Sequence, residues 1–300
     1  MKSMSIFSRS MRVTALGVAL AFGSLGVAQS EEGKSVFPDA SRVAAVGGSI
    51  TEIVYALGEE GKLVARDSTS TYPESALKLP DVGYIRALSP EGVLSVNPSG
   101  ILALAGSGPK EAIDVLKKAS VTYIEVPETF DHQGILDKVR IVGHALGADD
   151  KAATLASSID ADLKAAEELT AKVAERKRVL FILSMEGGKI LAAGDHTAAN
   201  GIIKLAGGVN AMEGVNGYKQ LTDEAALTAK PDMILMMDSA GAPATADADV
   251  FSNPALATTP AGKAKKLVRM DGSYLLGFGP RTASAIRDLA VALYGDQIKG

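Results

Sequence analysis

The stretch DDKAATLASSIDADLKAAEELTAKVAERK, from Asp149 to Lys177, divides this sequence into two halves. It contains no glycine or proline and is rich in alanine, leucine, glutamate and lysine, which all favour the α-helix. The composition therefore predicts one helix from Asp149 to Lys177, roughly 40 Å long at 1.5 Å per residue. We expect this helix to join an N-terminal lobe, residues 31–148, to a C-terminal lobe, residues 178–300.

Short apolar runs alternate with helical patterns on both sides of this helix. Before it, the runs RVAAVG, KLVARD, ILALAG and VTYIEVP predict strands, and helices are predicted over residues 49–57, 110–118 and 132–146. After it, the alternation restarts with RVLFIL. Such alternation is typical of βαβ units. The predicted fold class is α/β, with two Rossmann-like lobes, each a mainly parallel sheet flanked by helices, joined by one long bridging helix.

Internal repeats also favour two similar lobes. LSPEGVLSVNPSGIL (residues 88–102) aligns without a gap with LTDEAALTAKPDMIL (residues 221–235). Each has Ser or Thr as an N-cap, an acid in the first helical turn, then proline and an apolar strand. A second pair, SITEIVYALG (residues 49–58) and AANGIIKLAGG (residues 198–208), occurs in the same order. A single doubly wound domain is the alternative.

The N-terminus has the pattern of a secretory signal peptide over residues 1–30. Basic residues precede the apolar run VTALGVALAFGSLGVA (Val13–Ala28), which ends in small residues. Cleavage after Ala28 or after Ser30 fits this pattern. A transmembrane anchor is the alternative, and it needs a longer apolar run.

The composition excludes several classes of protein. The 300-residue chain has no cysteine, so it can form no disulfide, iron–sulfur cluster or thiolate zinc site, and no lipid-modified cysteine follows the apolar run. Its net charge of −4, without basic clusters, argues against nucleic acid as a partner. An exported protein without cysteines indicates the bacterial periplasm, and we expect a monomer.

No catalytic motif is present in the sequence. GxGxxG before a helix, the P-loop, GxSxG and HExxH are all missing. The run GGSITE (residues 47–52) resembles a phosphate-binding turn but lacks its lysine. We expect a strand-to-helix turn there, with Ser49 or Thr51 as the N-cap. A cleft between two lobes is, by contrast, a natural small-molecule site.

Tyr84 is the most conspicuous candidate for such a site. It lies between Gly83 and Arg86, in an irregular segment at the entrance to a helix. A phenol has a pKa near 10, and an adjacent guanidinium favours the phenolate that a metal would require. A cation–π or hydrogen-bonded turn between Tyr84 and Arg86 is the alternative, and the spacing alone leaves both open.

The sequence around Tyr84 resembles a known family. VGYIRALS (residues 82–89), followed by EGVLS (residues 91–95), is similar to the corresponding segment of periplasmic haem-binding proteins of haem ABC importers. Further matches follow in the expected order: Ala192-Ala193-Gly194, Thr197-Ala198-Ala199, Leu205-Ala206-Gly207-Gly208, Gly217-Tyr218-Lys219, Thr259-Pro260-Ala261-Gly262 and Leu275-Leu276-Gly277-Phe278-Gly279-Pro280-Arg281. The family has two α/β lobes joined by one long helix, in agreement with the repeats.

This resemblance implies roles for individual residues. Tyr84 would be the axial ligand of ferric haem, since tyrosine is an established haem ligand, and Arg86 would hydrogen-bond to its phenolate. His196 would ligate a second haem or the distal side, or be a surface histidine at a helix start. Three further residues are expected to line the haem pocket: Tyr218, Tyr274 and Arg281.

One departure from the family pattern concerns the haem propionates. Many relatives carry Arg-Gly after the apolar run that corresponds to MILMMD, and that arginine meets a propionate. Here the residues are Ser239-Ala240, so another cation must serve.

The resemblance also gives the repeated acids a role. One surface glutamate per lobe of such proteins docks onto arginines of the permease. Glu91 and Glu224 occupy equivalent positions in the two repeats, so both are expected to dock. An acid in the first turn of a helix is also favourable in itself.

The implied function is that of a periplasmic haem carrier, not an enzyme. It would deliver haem, as transported cargo, to an inner-membrane ABC permease with its ATPase. A ferric-siderophore or corrinoid carrier is the alternative within the same fold. An enzyme or a structural periplasmic protein is the alternative from another class.

Overall fold

A computed structural model describes Met1, residues 36–238 and residues 245–298 of the chain. The rest of the expected signal peptide, and Ser239 and Ala240, lie outside these described residues. Within the described part of the chain, no helix combines the length and the apolar content that crossing a membrane requires.

The strands form two sheets. The first contains β1 (Val43–Val46), β2 (Leu63–Arg66), β3 (Gly100–Leu104) and β4 (Thr122–Val126). Its order is β2-β1-β3-β4, and all its neighbouring strands are parallel. The apolar runs predicted as strands in the first half of the sequence are therefore confirmed as one parallel sheet.

The second sheet is mixed. Its strands are β5 (Arg178–Glu186), β6 (Lys189–Ala193), β7 (Val209–Asn210), β8 (Tyr218–Leu221), β9 (Met233–Asp238) and β10 (Leu267–Asp271). The order is β10-β9-β5-β6-β8, with β7 beside the start of β5. The strands β10, β9, β5 and β7 pair in parallel, whereas β5–β6 and β6–β8 are antiparallel. The predicted two-lobe α/β class is confirmed.

Helices cover both sheets. Those of the first lobe are α1 (Gly48–Ala56), α2 (Pro90–Leu94), α3 (Lys110–Lys118) and α4 (His132–Ala145), and α5 (Asp149–Glu168) follows them. Those of the second lobe are α6 (Ala198–Leu205), α7 (Asp223–Ala229), α8 (Asp247–Ser252), α9 (Pro254–Ala257), α10 (Pro260–Ala264), α11 (Gly272–Leu276) and α12 (Thr282–Tyr294). Short 3₁₀ segments lie at Glu60–Lys62, Glu74–Lys78 and Gly295–Ile298.

The bridging helix is shorter than its composition predicts. α5 ends at Glu168 rather than at Lys177, so its 20 residues span about 30 Å. Beyond Glu168 the amides of Thr170 and Ala171 bond to carbonyls three residues back, and the chain turns. Thr170 is buried against Gly207, where an added Cβ would lie 2.3 Å from its hydroxyl. This long-range contact overrides the helix propensity of the segment that follows.

One continuous cluster of buried side chains joins the two sheets through α5. The buried residues of α5 recur every three or four positions and form one face: Ala152, Ala156, Ile159, Leu163 and Ala166. This face packs against α4 and α12. In β5, Val179 and Phe181 belong to the same cluster, whereas Leu180 and Ile182 belong to a second cluster on the other face of the sheet.

The first internal repeat folds into the same local structure twice. Ser89 caps α2 by accepting a hydrogen bond from the amide of Gly92, and Thr222 caps α7 by accepting one from Ala225. A proline and a strand, β3 or β9, follow each helix. The predicted capping pattern of the repeat is therefore confirmed at both sites.

The packing of α5 gives a first testable prediction. Leu163 is completely buried, so Leu163→Ala leaves a cavity in the shared core and lowers the free energy of unfolding by about 2 to 5 kcal/mol. Urea denaturation followed by circular dichroism measures this loss. Leu77→Ala, at a half-exposed position, is the control and changes the free energy of unfolding by less than about 0.5 kcal/mol. Equal effects of the two substitutions would contradict the packing described for α5.

Candidate functional site

A cleft opens where the carboxyl ends of the parallel strands of both sheets face each other. Open α/β sheets bind their ligands at this edge. The cleft has a volume of about 460 Å³ and is lined from both lobes. The first lobe contributes residues 47–49, 84–86, Thr69, Thr71, Leu104 and Glu128, and the second contributes Met237, Asp238, residues 271–273, Leu276 and Gly277.

The Tyr84 turn is fixed to the first sheet on both sides. Gly83 has a φ of 104°, which permits the turn, and its carbonyl accepts a hydrogen bond from the amide of Ser68 at 2.9 Å. The carbonyl of Ile85 accepts a hydrogen bond from the amide of Gly108, also at 2.9 Å. Ile85 is buried in the core, so the two exposed side chains beside it, Tyr84 and Arg86, are held at the cleft.

Tyr84 and Arg86 both line the cleft. The side chain of Tyr84 is half exposed. The guanidinium of Arg86 donates a hydrogen bond to the carbonyl oxygen of Gly106 at 3.1 Å, rather than to the Tyr84 hydroxyl. Arg86 is the one cation among the described residues that line the cleft.

Tyr218 is not among the described residues that line the cleft. It is the first residue of β8, in the second lobe, and its side chain is partly exposed. Burial raises the pKa of Tyr218, and the charge of Arg86 partly opposes this rise.

The phenol of Tyr274 forms a hydrogen bond outside the cleft. Its hydroxyl donates a hydrogen bond to Asp288 of α12 at 2.8 Å. Burial, together with this carboxylate, raises the pKa of Tyr274 to about 12. Tyr274 is not among the described residues that line the cleft.

Arg281 is also held away from the cleft. Its Nε donates a hydrogen bond to the Glu52 carboxylate at 3.0 Å, and its guanidinium carbon lies 3.8 Å from the centre of the Tyr72 ring. In the described part of the chain, its side chain is not part of the cleft wall. The structure therefore places Tyr274 and Arg281 beside the cleft, although the resemblance implies that they line it.

His196 lies in a second cavity. This cavity has a volume of about 830 Å³ and is formed by the loop before α4, the end of α5 and one side of α6. His196 is exposed there, with a φ of 59°. Glu128 lines both cavities, whereas Tyr84 lines only the first. Tyr84 and His196 thus belong to neighbouring cavities rather than to one described pocket.

The two acids of the repeat are placed equivalently. Glu91 and Glu224 are both exposed in the first turns of α2 and α7. Within residues 36–238 and 245–298, neither carboxylate forms an ion pair. Both charges are thus available to a partner.

Several residues at or behind the cleft were not predicted from the sequence. Asp238 and Asp271 are the last residues of β9 and β10 and are paired in register. The carboxyl-end rule for parallel sheets could have identified them.

Lys138 is fully buried behind the cleft, where its ammonium donates to Glu128 at 2.8 Å and to Ser49 at 3.3 Å. In the sequence it could have been noticed only as a charged residue within the apolar stripe of α4. Burial lowers the pKa of Lys138.

The strand-to-helix turn before α1 differs in one respect from the prediction. The N-cap is Gly47, not Ser49 or Thr51. Gly47 has a φ of 118°, a conformation that other residues rarely adopt, so the helix begins earlier than predicted. The amide of Gly47 donates a hydrogen bond to Asp67 at 2.9 Å. Thr51 instead hydrogen-bonds to Ser70 inside the protein.

Comparison with known proteins identifies the family. The sequence profile of the periplasmic binding protein family matches residues 43–274. This match spans more than half of the chain, which therefore belongs to the periplasmic binding protein family. The family resemblance seen in the sequence is thus confirmed.

Two solved structures are closely similar to this chain. The periplasmic haem-binding protein BhuT, in complex with two haems, is 40% identical with a TM-score of 0.79, over 86% of this chain and 98% of that one. The periplasmic haem-binding protein RhuT from Roseiflexus sp. RS-1, in its apo form, is 34% identical with a TM-score of 0.81. That match covers 87% of this chain and 100% of that one.

Two relatives are similar in sequence. The ABC transporter substrate-binding lipoprotein YvrC of Bacillus subtilis (strain 168) is 28% identical over 90% of this chain and 85% of its own length. The vitamin B12-binding protein of Yersinia pestis (strain Pestoides F) is 26% identical over 66% of this chain and 69% of its own length.

The hydrogen bond between Tyr274 and Asp288 gives a second testable prediction. Because its pKa is raised to about 12, Tyr274 contributes stability that is complete below pH 10 and is lost as the pH rises through 12. The phenylalanine variant lacks this titration. We therefore expect wild type to lose more of its free energy of unfolding than Tyr274→Phe between about pH 9 and about pH 11. Urea denaturation at both values measures the difference.

Asp288→Asn is the companion variant in this experiment. It removes the carboxylate that raises the pKa of Tyr274, so its stability should fall less steeply with pH than that of wild type. Parallel pH profiles for wild type and Tyr274→Phe would rule out the proposed titration.

Proposed function

We propose that this chain is a periplasmic carrier that binds haem in the cleft between its lobes, with Tyr84 as the axial iron ligand. The half-exposed phenol of Tyr84, held at the cleft beside the guanidinium of Arg86, carries this proposal. The haem-binding function of the two similar solved structures supports it. The protein then acts as a binding component, and we propose no catalytic residue.

The cleft has the chemistry that this ligand requires. A phenolate oxygen is a suitable donor to ferric iron, and the positive charge of Arg86 favours the anionic form of a nearby phenol. Ile85, Leu104 and Leu276 supply apolar surface for the porphyrin faces. These side chains come from both lobes, so one flat ligand would contact both.

The charges of the cleft constrain the haem propionates. Glu128, Asp238 and Asp271 line the described cleft, and Arg86 is its one cation. Lys138 and Arg269 partly neutralise Glu128 and Asp238, but carboxylates still repel each other at short range, so the propionates point away from these three residues. Arg86 then contacts a propionate, as does the arginine that many relatives carry at the position of Ser239.

The second cavity gives His196 a distinct role. His196 and Tyr84 line different cavities that share Glu128, and this supports His196 as a ligand of a second haem rather than of the sixth position of the first. The similarity to a protein solved with two haems supports this assignment. Tyr218, at the start of β8 in the second lobe, is proposed to border the first haem.

The cargo passes to an ABC permease of the inner membrane and its ATPase. Glu91 and Glu224 dock onto basic residues of this permease, one from each lobe, because they are exposed and without ion-pair partners in the described chain. The similarity to an ABC transporter substrate-binding protein supports this partner. Export to the periplasm uses the signal peptide of residues 1–30, and the carrier acts as a monomer.

A corrinoid or ferric-siderophore carrier is the second candidate. The similarity to a vitamin B12-binding protein over 66% of the chain favours the corrinoid. A corrinoid already carries its own axial nitrogen base, so it makes no use of a tyrosine ligand. Binding measurements with hemin and with cyanocobalamin therefore separate the two candidates.

The ligand assignment gives a third testable prediction. In a titration with hemin, wild type shows the high-spin spectrum of a tyrosinate complex, and Tyr84→Phe loses it because the phenol oxygen is gone. The affinity for hemin falls by at least about tenfold, or about 1.4 kcal/mol. Absorption spectroscopy and fluorescence quenching measure the two effects.

Tyr55→Phe is the matched control for this titration. Tyr55 lies in α1 and is outside the residues that line the cleft, so its variant keeps the wild-type spectrum and affinity. An unchanged spectrum in Tyr84→Phe would refute the ligand assignment. A wild-type protein that binds cyanocobalamin and not hemin would refute the haem proposal.

The docking surface gives a fourth testable prediction. The double variant Glu91→Ala/Glu224→Ala lowers permease-dependent haem uptake about tenfold, if each lost ion pair contributes about 0.7 kcal/mol. Its affinity for hemin stays at the wild-type value. Uptake by vesicles that contain the permease, supplied with haem-loaded carrier, measures the effect. Glu111→Ala removes an equivalent exposed acid from α3 and serves as the control. Loss of hemin affinity in the double variant would count against docking.

A further inference from the structure

One arginine of the second lobe, Arg281, is bound by residues of the first lobe. Arg281 precedes α12, and its Nε donates a hydrogen bond to the carboxylate of Glu52 in α1 at 3.0 Å. An Nη of the same guanidinium donates to the other carboxylate oxygen. Two parallel hydrogen bonds between a guanidinium and a carboxylate fix both distance and orientation. The pair therefore joins two segments that lie 229 residues apart.

Aromatic rings restrict the guanidinium further. Its central carbon lies 3.8 Å from the centre of the Tyr72 ring, in the first lobe, and 5.3 Å from that of Tyr274. Both distances are in the range of cation–π contacts. Arg281 thus has two contacts with the first lobe, Glu52 and Tyr72, that act on one planar group.

The pair is largely removed from water. The carboxylate side chain of Glu52 is 6% exposed and the side chain of Arg281 is 25% exposed. Burial raises the pKa of Glu52, and its hydrogen bonds with Arg281 oppose this rise. Removing either partner would leave a buried charge without compensation, so the two side chains act as one unit.

Further contacts between the lobes lie close to this pair. The hydroxyls of Thr71 and Ser273 are 3.3 Å apart across the two lobes. Gly279 approaches Ser49 so closely that an added Cβ would lie 3.3 Å from the Ser49 Cβ. All four residues lie within eight positions of Glu52, Tyr72 or Arg281 in the sequence. The ion pair is therefore the charged part of a larger contact between the lobes.

The same elements form the two walls of the cleft. α1, which carries Glu52, begins with Gly48 and Ser49, and both line the cleft from the first lobe. α11, which precedes Arg281, lines the opposite wall with Ser273 and Leu276. A change in the distance between Glu52 and Arg281 therefore changes the separation of the walls.

We propose that the Glu52–Arg281 ion pair is a clasp that holds the two walls of the cleft at a fixed separation. Glu52 is then a positioning residue of the cargo site, which acts through Arg281 without contacting the cargo. The clasp itself follows from contacts between the lobes. Its effect on haem release rests on the function proposed above.

The distance between the lobes tests the clasp without any cargo. Because the sequence has no cysteine, Val115→Cys and Leu227→Cys provide two unique labelling sites, one half-exposed in each lobe. Pulsed electron paramagnetic resonance of spin labels at these sites gives the distribution of distances between them. Adding Glu52→Gln removes one charge at nearly constant shape and broadens this distribution towards longer distances. A distribution identical to that of the labelled parent would overturn the proposal.

Glu59→Gln is the matched control. Glu59 is also a little-exposed carboxylate, paired with Lys62 and Lys151, and it does not line the cleft. Its variant keeps the parent distribution. Equal broadening in Glu52→Gln and Glu59→Gln would indicate a general loss of stability and overturn the clasp.

A second variant protects the test against misfolding. Arg281→Lys keeps the positive charge but loses the planar group that makes two parallel hydrogen bonds and covers Tyr72. If circular dichroism shows that Glu52→Gln does not fold, Arg281→Lys is labelled instead, and the same broadening is expected. Parent-like distances in this folded variant would overturn the proposal.

The rate of hemin release gives the functional readout. Hemin transfers from Glu52→Gln to excess apomyoglobin about tenfold faster than from wild type, which corresponds to about 1.4 kcal/mol. The absorption spectrum of the bound hemin stays that of wild type, because Tyr84 is intact. An unchanged rate despite a broadened distance distribution would overturn the positioning role. If wild type binds no hemin, the proposed function fails, and the distance measurement still decides the clasp.

Discussion

The packing of α5 against α4 and α12 is the contact on which the rest of the structure depends. Its small residues allow a close approach: an added Cβ at Gly143 of α4 would lie 2.2 Å from the Cβ of Ala152. Because one buried cluster runs from the first sheet through this helix to the second, the sheets hold a defined relation to each other. Their carboxyl ends then face across a cleft, and Tyr84 and Arg86 lie on that edge.

Charge is distributed unequally around this cleft. Arg86 is the one cation on its described lining, whereas Lys138, Arg269 and Arg281, which lie close to it, are each paired with a carboxylate. Charges buried in this way are costly unless paired. These pairs therefore belong to the framework of the cleft. The guanidinium of Arg86, which forms no ion pair within the described chain, lies beside Tyr84, where a metal-bound phenolate would need it. Paired charges that hold the lobes together and an unpaired cation beside Tyr84 are what a cargo site between two lobes would require.

The exposed surfaces complete this arrangement. The turn that carries Tyr84 leads directly into α2, whose first turn presents Glu91, and the equivalent turn of α7 presents Glu224. The proposed cargo ligand and the proposed docking acid are thus a few residues apart in the first lobe. A partner that binds both acids would span the two lobes, and it would be sensitive to the separation that the Glu52–Arg281 pair sets.

Local sequence patterns predicted most of the secondary structure and the turn at Tyr84. Hydrophobic periodicity, capping residues and the repeat are properties of adjacent residues, so the strands, the N-caps at Ser89 and Thr222, and the Tyr84 turn followed from them. Long-range contacts set the end of α5, where Thr170 meets Gly207, and the partners of Arg281 and Tyr274. It also placed His196 in a second cavity. These features depend on contacts between residues that are distant in the sequence, and no local pattern encodes which of them meet.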